Sequence, residues 1–187
     1  MSSSNYINVA KGWAKTSVNA TIFRRNSIVT HKDTQYIGFY EGEGFMVLGK
    51  RRLGSSTFNL HKTQYQGNVN DAHNVISIMV DGDGFLHVAF DHHVSPLRYA
   101  KSLEAGGLEL SKELPMTGRN ETNVTYPEFY RLSDGNMLFM YRDGSSGRGD
   151  LVLNHYDIKT KIWTQRQNCL IDGEGERNAY WQAYIDP

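Results

Sequence analysis

The chain has 187 residues, enough for one domain with a sizeable core, and its 20 basic residues balance 20 acidic ones. Zero formal net charge excludes a global field that recruits nucleic acid or an anionic membrane, so an anionic ligand must be held by local arginines. Aromatics at 12%, 18 glycines and only 4 prolines suit an all-β chain with many tight turns, and no apolar run has the length of a membrane-spanning helix.

The opening residues, MSSSNYINVAKGWAK, lack the basic start and apolar stretch of a secretory signal. An inner strand is expected over 18–23, followed by strands over 36–40 and 46–51 and an outer strand around Phe58. The same order recurs as 74–80, 86–90, 97–101 and a strand around Leu108. It recurs again as 126–132, 137–141, 151–156 and a strand around Trp163, with a further inner strand expected over 179–185. Turns punctuate these runs at EGEG (41–44), DGDG (81–84) and SDGN (133–136), where Gly, Asn and Asp accept the positive φ of hairpin turns. Helical periodicity is nearly absent, and the one long amphipathic stretch, SLEAGGLELSK, is broken by glycines.

A period of roughly 50 residues is that of a propeller blade. The fold class is therefore all-β, with blades of four antiparallel strands. About three blades and the start of another are supplied, whereas propellers close with about 4–8. Residues 1–187 are read as the N-terminal blades of one larger propeller domain, with closure against a second copy as the alternative, since an open arc leaves exposed edges.

The segment 71–102, DAHNVISIMVDGDGFLHVAFDHHVSPLRYAKS, concentrates His73, His87, His92 and His93 among strand residues. Imidazole titrates near neutrality, so histidines at strand ends suggest proton transfer or metal binding. The repeat puts His73 and Tyr126 at the openings of two inner strands. It puts His93 and Arg142 just beyond the second strands of the same two blades. One rim thus receives two histidines, a tyrosine and an arginine. Such a set suits β-elimination of a uronic-acid polymer: a base takes the proton α to the carboxylate, an acid protonates the departing C4 oxygen, and a cation stabilises the enolate-like intermediate. Arg142 is the cation, His73 and Tyr126 exchange protons at C5 and O4, and His93 donates to the carboxylate or orients its neighbours. Asn74, Arg148, Arg177 and Tyr180 are candidate substrate contacts.

The segments DAHN, DGDGFLHVAFDHHVSPLRYAKS, MTGRNETNVTYPEFY, LFMYRDGSSGRGDLVLNHYD and GEGERNAYWQAYID resemble the BNR-4 repeat family, the propeller group that includes ulvan lyases, from about Trp13 onward. The resemblance implies a seven-bladed propeller with its C-terminal blades missing here. It implies His73, His93, Tyr126 and Arg142 as the active site and leaves the substrate open; the leading expectation is an anionic, sulfated, ulvan-like polysaccharide. It also implies an extracellular or periplasmic location. No cofactor is required by this chemistry, and no C-x-x-C or H-E-x-x-H spacing marks a metal site, which leaves a structural ion open.

Plainer roles compete for each residue. His73 can cap a turn beside Asp71 and Asn74. Adjacent His92 and His93 face opposite ways in a strand, so one of them is structural, and the resemblance makes His93 the functional one; mid-strand His87 reads as a packing histidine. Tyr126 can anchor its strand, and Arg142 can bridge to Asp143 or Asp91. A sialidase-type hydrolase would need converging acids or a tyrosine nucleophile with a glutamate and three arginines, and its S-x-D-x-G-x-x-W signature is absent. A non-catalytic sugar-binding propeller would use Trp13, Tyr130, Trp163 and Trp181 for stacking. Sequons occur at Asn19, Asn120 and Asn123, the last beside the rim. Cys169 is alone, which excludes an intramolecular disulfide.

Overall fold

The computed structural model describes residues 6–20 and 27–185, which form three antiparallel sheets; no helix occurs among them. The first sheet runs in chain order through β1 (Ile28–His31), β2 (Thr34–Tyr40), β3 (Phe45–Arg52) and β4 (Asn59–Gln66). The second holds β5 (Ile76–Val80), β6 (Leu86–Phe90) and β8 (Tyr99–Lys101). The third is ordered β12-β11-β10-β9-β7, with β7 at His93–Ser95, β9 at Val124–Arg131, β10 at Met137–Ser145, β11 at Arg148–Asp157 and β12 at Ile162–Ile171.

The three predicted turns are built alike. In each the first residue or its neighbour opens a short loop that a left-handed glycine closes: Gly44 at φ 83°, Gly84 at φ 91° and Gly135 at φ 87°. A residue with a Cβ is strained there, which is why glycine punctuates the repeat. Two of these turns also meet between sheets. Gly82 donates its N–H to the Gly135 carbonyl at 3.0 Å, and a Cβ on Gly82 would lie 2.7 Å from the Gly135 Cα.

The sheets stack face to face. Tyr36, Tyr40, Met46 and Leu48 of the first bury against Ile76, Ile78, Val88 and Phe90 of the second. Ala89 and Tyr99 of the second meet Phe129, Phe139, Tyr156 and Trp163 of the third. The far face of the third sheet, with Met140 and Leu151, is covered by Ala179 and Trp181.

The first sheet is a four-stranded antiparallel unit, whereas the second has three strands and the third five. The first sheet takes β1 as its inner strand instead of 18–23; residues 18–20 are a turn and 21–23 lie outside the described residues. Val18 still packs into the first core, so its apolar character signals burial rather than a strand. The expected outer strand around Leu108 is reduced to a single bridge between Ser102 and Leu110, because Gly106 and Gly107 interrupt it. Residues 179–185 make no strand. The third sheet gains a fifth strand because β7, which follows the second strand of the second unit, pairs across with β9.

Candidate active site

That crossing strand assembles the site. After β6 ends, Asp91 at φ 65° turns the chain out of the second sheet, and His93 pairs with Thr125 of β9. Val94, at φ 53°, donates its N–H to Thr125 Oγ1 at 2.7 Å. Opposite β10, β9 carries a bulge: Met140 pairs with Glu128 and Arg142 with Thr125, so Tyr126 and Pro127 together face Tyr141. Tyr126 sits at φ 57°, a conformation costly for an aromatic L-residue. Bulges re-aim side chains, and three left-handed non-glycine residues around one cluster is where functional strain collects.

The cluster contains the four residues expected of the rim. His73 and His93 stack with ring centroids 4.0 Å apart and an interplanar angle of 17°. Tyr126 lies 5.8 Å from the His73 ring. The Arg142 guanidinium sits 5.0 Å from the Tyr126 ring centre and 5.5 Å from that of Tyr180. His73 lies three residues ahead of β5 and His93 opens β7, whereas Arg142 is inside β10, a strand longer than its apolar pattern.

Arg142 is 1% exposed. Its stem lies across Gly149, where an added Cβ would come within 2.8 Å of the Arg142 Cγ and Cδ. Nε donates to the Gly144 carbonyl at 3.1 Å, and one terminal nitrogen is buried with no hydrogen-bond partner. Neither expected acid serves it. Asp91 pairs with Arg98 at 2.6 Å, and Asp143 accepts from Asn120 Nδ2 at 2.9 Å. No carboxylate pairs with Arg142 among the described residues. A buried cation without a counter-charge is unfavourable, and an arriving carboxylate would offset that.

Asp71, not expected from the sequence, joins the histidines. Its Oδ1 is 2.6 Å from His73 Nδ1, and its Oδ2 is 2.5 Å from His93 Nδ1. Burial works against the charged carboxylate, but the His73 backbone N–H and the two imidazoles outweigh it, holding the Asp71 carboxyl at about 2. The only sequence signal was an acid two residues before His73. Asp71, His73 and His93 bring three donor atoms within 4.8 Å of one another, as do Asp150, Cys169 and Asp172. In the first group the N–O separations are those of hydrogen bonds. Two ligands of one tetrahedral zinc ion stand roughly 3.3 Å apart at the usual bond lengths, so that group would have to spread to take one.

The other histidines are structural. His92 is fully buried, accepts the Arg98 backbone N–H at 2.8 Å, and is pushed down to about 3 by burial. His87 is also buried, between the Tyr99 hydroxyl at 2.6 Å and Asp81 at 3.2 Å, with burial lowering it to about 4.

Of the candidate substrate contacts, Tyr180 is half-exposed and 6.0 Å from the Tyr126 ring. Arg148 is exposed and lines a cleft of about 310 Å³ with Val94, Asn123, Asp143 and Ser145. Asn123, the sequon residue, thus borders that cleft. Arg177 pairs with Glu174 on the surface. Asn74 is buried and donates to the Asn68 carbonyl at 3.0 Å, so it does not face the open side. Trp163 and Trp181 are buried among core residues, which removes them as sugar platforms.

The chain is similar to ulvan lyases. It is 24% identical to the long isoform from Glaciecola sp. (strain KUL10) over 190 residues, covering 75% of this chain and 19% of that protein. It is 29% identical to the long isoform from Alteromonas sp. (strain LOR) over 155 residues, covering 60% and 15% respectively. The chain therefore spans about one fifth of the length of such relatives. Among solved structures it is similar to the polysaccharide lyase Uly1, with a TM-score of 0.70 at 19% identity, covering 88% of this chain and 44% of that one. A PL25 ulvan lyase bound to -[GlcA(1-4)Rha3S]- gives a TM-score of 0.63 at 11% identity, covering 76% and 37%. The all-β arrangement of antiparallel sheets is shared with these lyases. BNR repeat-containing proteins match residues 34–187, and the chain belongs to that family.

Proposed function

We propose that this chain carries the catalytic rim of a polysaccharide lyase that cleaves a sulfated, uronic-acid-containing polymer of the ulvan type by β-elimination. The observation that carries this reading is the Arg142 guanidinium, buried without a carboxylate between Tyr126 and Tyr180, beside the stacked His73–His93 pair. Bound to a uronate carboxylate, it stabilises the charge that develops when the C5 proton leaves. His73 and Tyr126 exchange the protons at C5 and O4, and His93 orients or donates to the carboxylate. Arg148, which lines the cleft, and Tyr180, beside Tyr126 and Arg142, contact neighbouring sugars; Arg177 and Asn74 are further substrate contacts, Asn74 through the loop of Asn68.

The ulvan lyases to which the chain is similar support the substrate class, as does the neighbour bound to a sulfated disaccharide repeat. Hydrolysis is less well supported, because the nearby acids are engaged. Asp71 holds both histidines, and Glu128 accepts from the Tyr130 hydroxyl and the Trp181 indole. Residues 1–187 are further proposed to be part of one larger propeller of about seven blades, acting outside the cytoplasm. The experiment is incubation of the protein in its longest natural form with ulvan, following the ultraviolet absorbance of the unsaturated uronate. Reducing ends released without that chromophore would mean hydrolysis and overturn the reading.

A further inference from the structure

The two histidines share one carboxylate, and this has a chemical consequence. A carboxylate accepts hydrogen bonds and donates none. Asp71 Oδ1 faces His73 Nδ1 and Oδ2 faces His93 Nδ1, both within 2.6 Å, so each Nδ1 must carry its hydrogen. Each imidazole then has its proton on the edge turned toward Asp71 and, when neutral, its lone pair on Nε2 at the opposite edge.

We infer that Asp71 is the positioning residue of the site, one carboxylate that fixes His73 and His93 in the same tautomer and presents two Nε2 atoms side by side. Its own placement is well determined. Oδ1 also accepts the His73 backbone N–H at 2.9 Å, so the turn that brings His73 to the rim sets the carboxylate as well. With the rings stacked at 4.0 Å, the pair presents two Nε2 acceptors side by side, so either can take a proton and, once it is an imidazolium, donate to the substrate carboxylate, without either ring having to turn. In this arrangement His93 does not act alone; its orientation depends on a residue of the preceding turn. The inference rests on the lyase reading for its catalytic consequence, but not for the tautomers themselves.

Asp71→Asn tests it. The amide oxygen keeps the bonds to the His73 N–H and Nδ1–H, while the amide nitrogen, now a donor, faces His93 Nδ1. His93 must move its proton to Nε2 or lose its partner. Long-range proton–nitrogen NMR on the protein in its longest natural form, recorded over a pH series, reads each tautomer directly. Signals are assigned with His73→Gln and His93→Gln. The expected result is Nδ1–H at both histidines in the native protein and a switch at His93 in the variant. The turnover number should fall by about 10²–10⁴-fold with little change in KM, the scale of a wrong histidine tautomer in a catalytic triad. Asp71→Glu, which restores an acceptor-only group, should recover part of that loss.

Two unchanged tautomers in Asp71→Asn would overturn the inference. So would unchanged turnover while His73→Ala abolishes it. If the native protein forms no unsaturated uronate, the lyase reading fails instead, and the NMR result still decides the role of Asp71. A structural role alone would lower stability in Asp71→Asn without the tautomer switch, and Asp71→Glu would not rescue turnover.

Discussion

Replacing Arg142 by Met separates stability from function at the site. The guanidinium is 1% exposed, lacks a carboxylate partner among the described residues, and leaves one nitrogen without a hydrogen bond. Met keeps the stem that lies over Gly149 and can contact the Tyr126 and Tyr180 rings through sulfur, at about 0.3–1.5 kcal/mol per contact. The substitution loses a charged hydrogen bond to the Gly144 carbonyl, about 1.5–3 kcal/mol, and two cation–π contacts of about 0.5–2 kcal/mol each. It removes a buried charge whose desolvation costs several kcal/mol and an unsatisfied nitrogen that costs about 1–3 kcal/mol. These contributions nearly cancel, so the variant should stay within about 1 kcal/mol of the native protein or exceed it, while formation of unsaturated uronate falls about 10²–10³-fold. Urea unfolding at constant m-value gives the first quantity and initial rates on ulvan the second. A stability loss above about 3 kcal/mol, on the scale of truncating a buried core side chain, would show that Arg142 is held for packing and refute the reasoning.

Three further outcomes are expected. His73→Ala and Tyr126→Phe should each lower turnover by roughly 10²–10⁴-fold, whereas His92→Gln, buried against the Arg98 N–H, should leave it within a few-fold; rates on ulvan with circular dichroism to check the fold decide this. His87 and His92 have folded values of about 4 and about 3, below the unfolded value near 6.5, so the unfolded chain gains protons first as pH falls. Stability should therefore be full above about 6.5 and decline toward about 3; for His92 the loss at pH 5 is roughly 2 kcal/mol, and His92→Gln should flatten that part of the urea midpoint–pH curve. Gly82→Ala should destabilise by about 1–3 kcal/mol in thermal unfolding, since its Cβ meets the Gly135 Cα at 2.7 Å, with no direct effect on the site at the other end of the strands.

What the sequence determined by itself is local and periodic. Short apolar runs between glycine turns specify antiparallel hairpins, and Gly44, Gly84 and Gly135 hold the left-handed φ their positions implied. The repeat alone also brought His73, His93, Tyr126 and Arg142 to one end of neighbouring sheets, because strand ends recur at equal spacing. Tertiary structure decided the rest. Crossing of β7 into the third sheet depends on left-handed turns at Asp91, a residue type that tolerates positive φ, and at Val94, a β-branched type that gives no sign of it. The bulge at Tyr126 is a register shift of β9 opposite Tyr141 of β10, and the burial of Arg142 depends on Gly149 in the neighbouring strand and on Tyr180, which is distant in the chain. Even the role of Asp71 appears only when two histidines twenty residues apart converge on its two oxygens. Periodicity encodes which face a side chain takes; which partner it meets on that face is a long-range property that only packing of the sheets resolves.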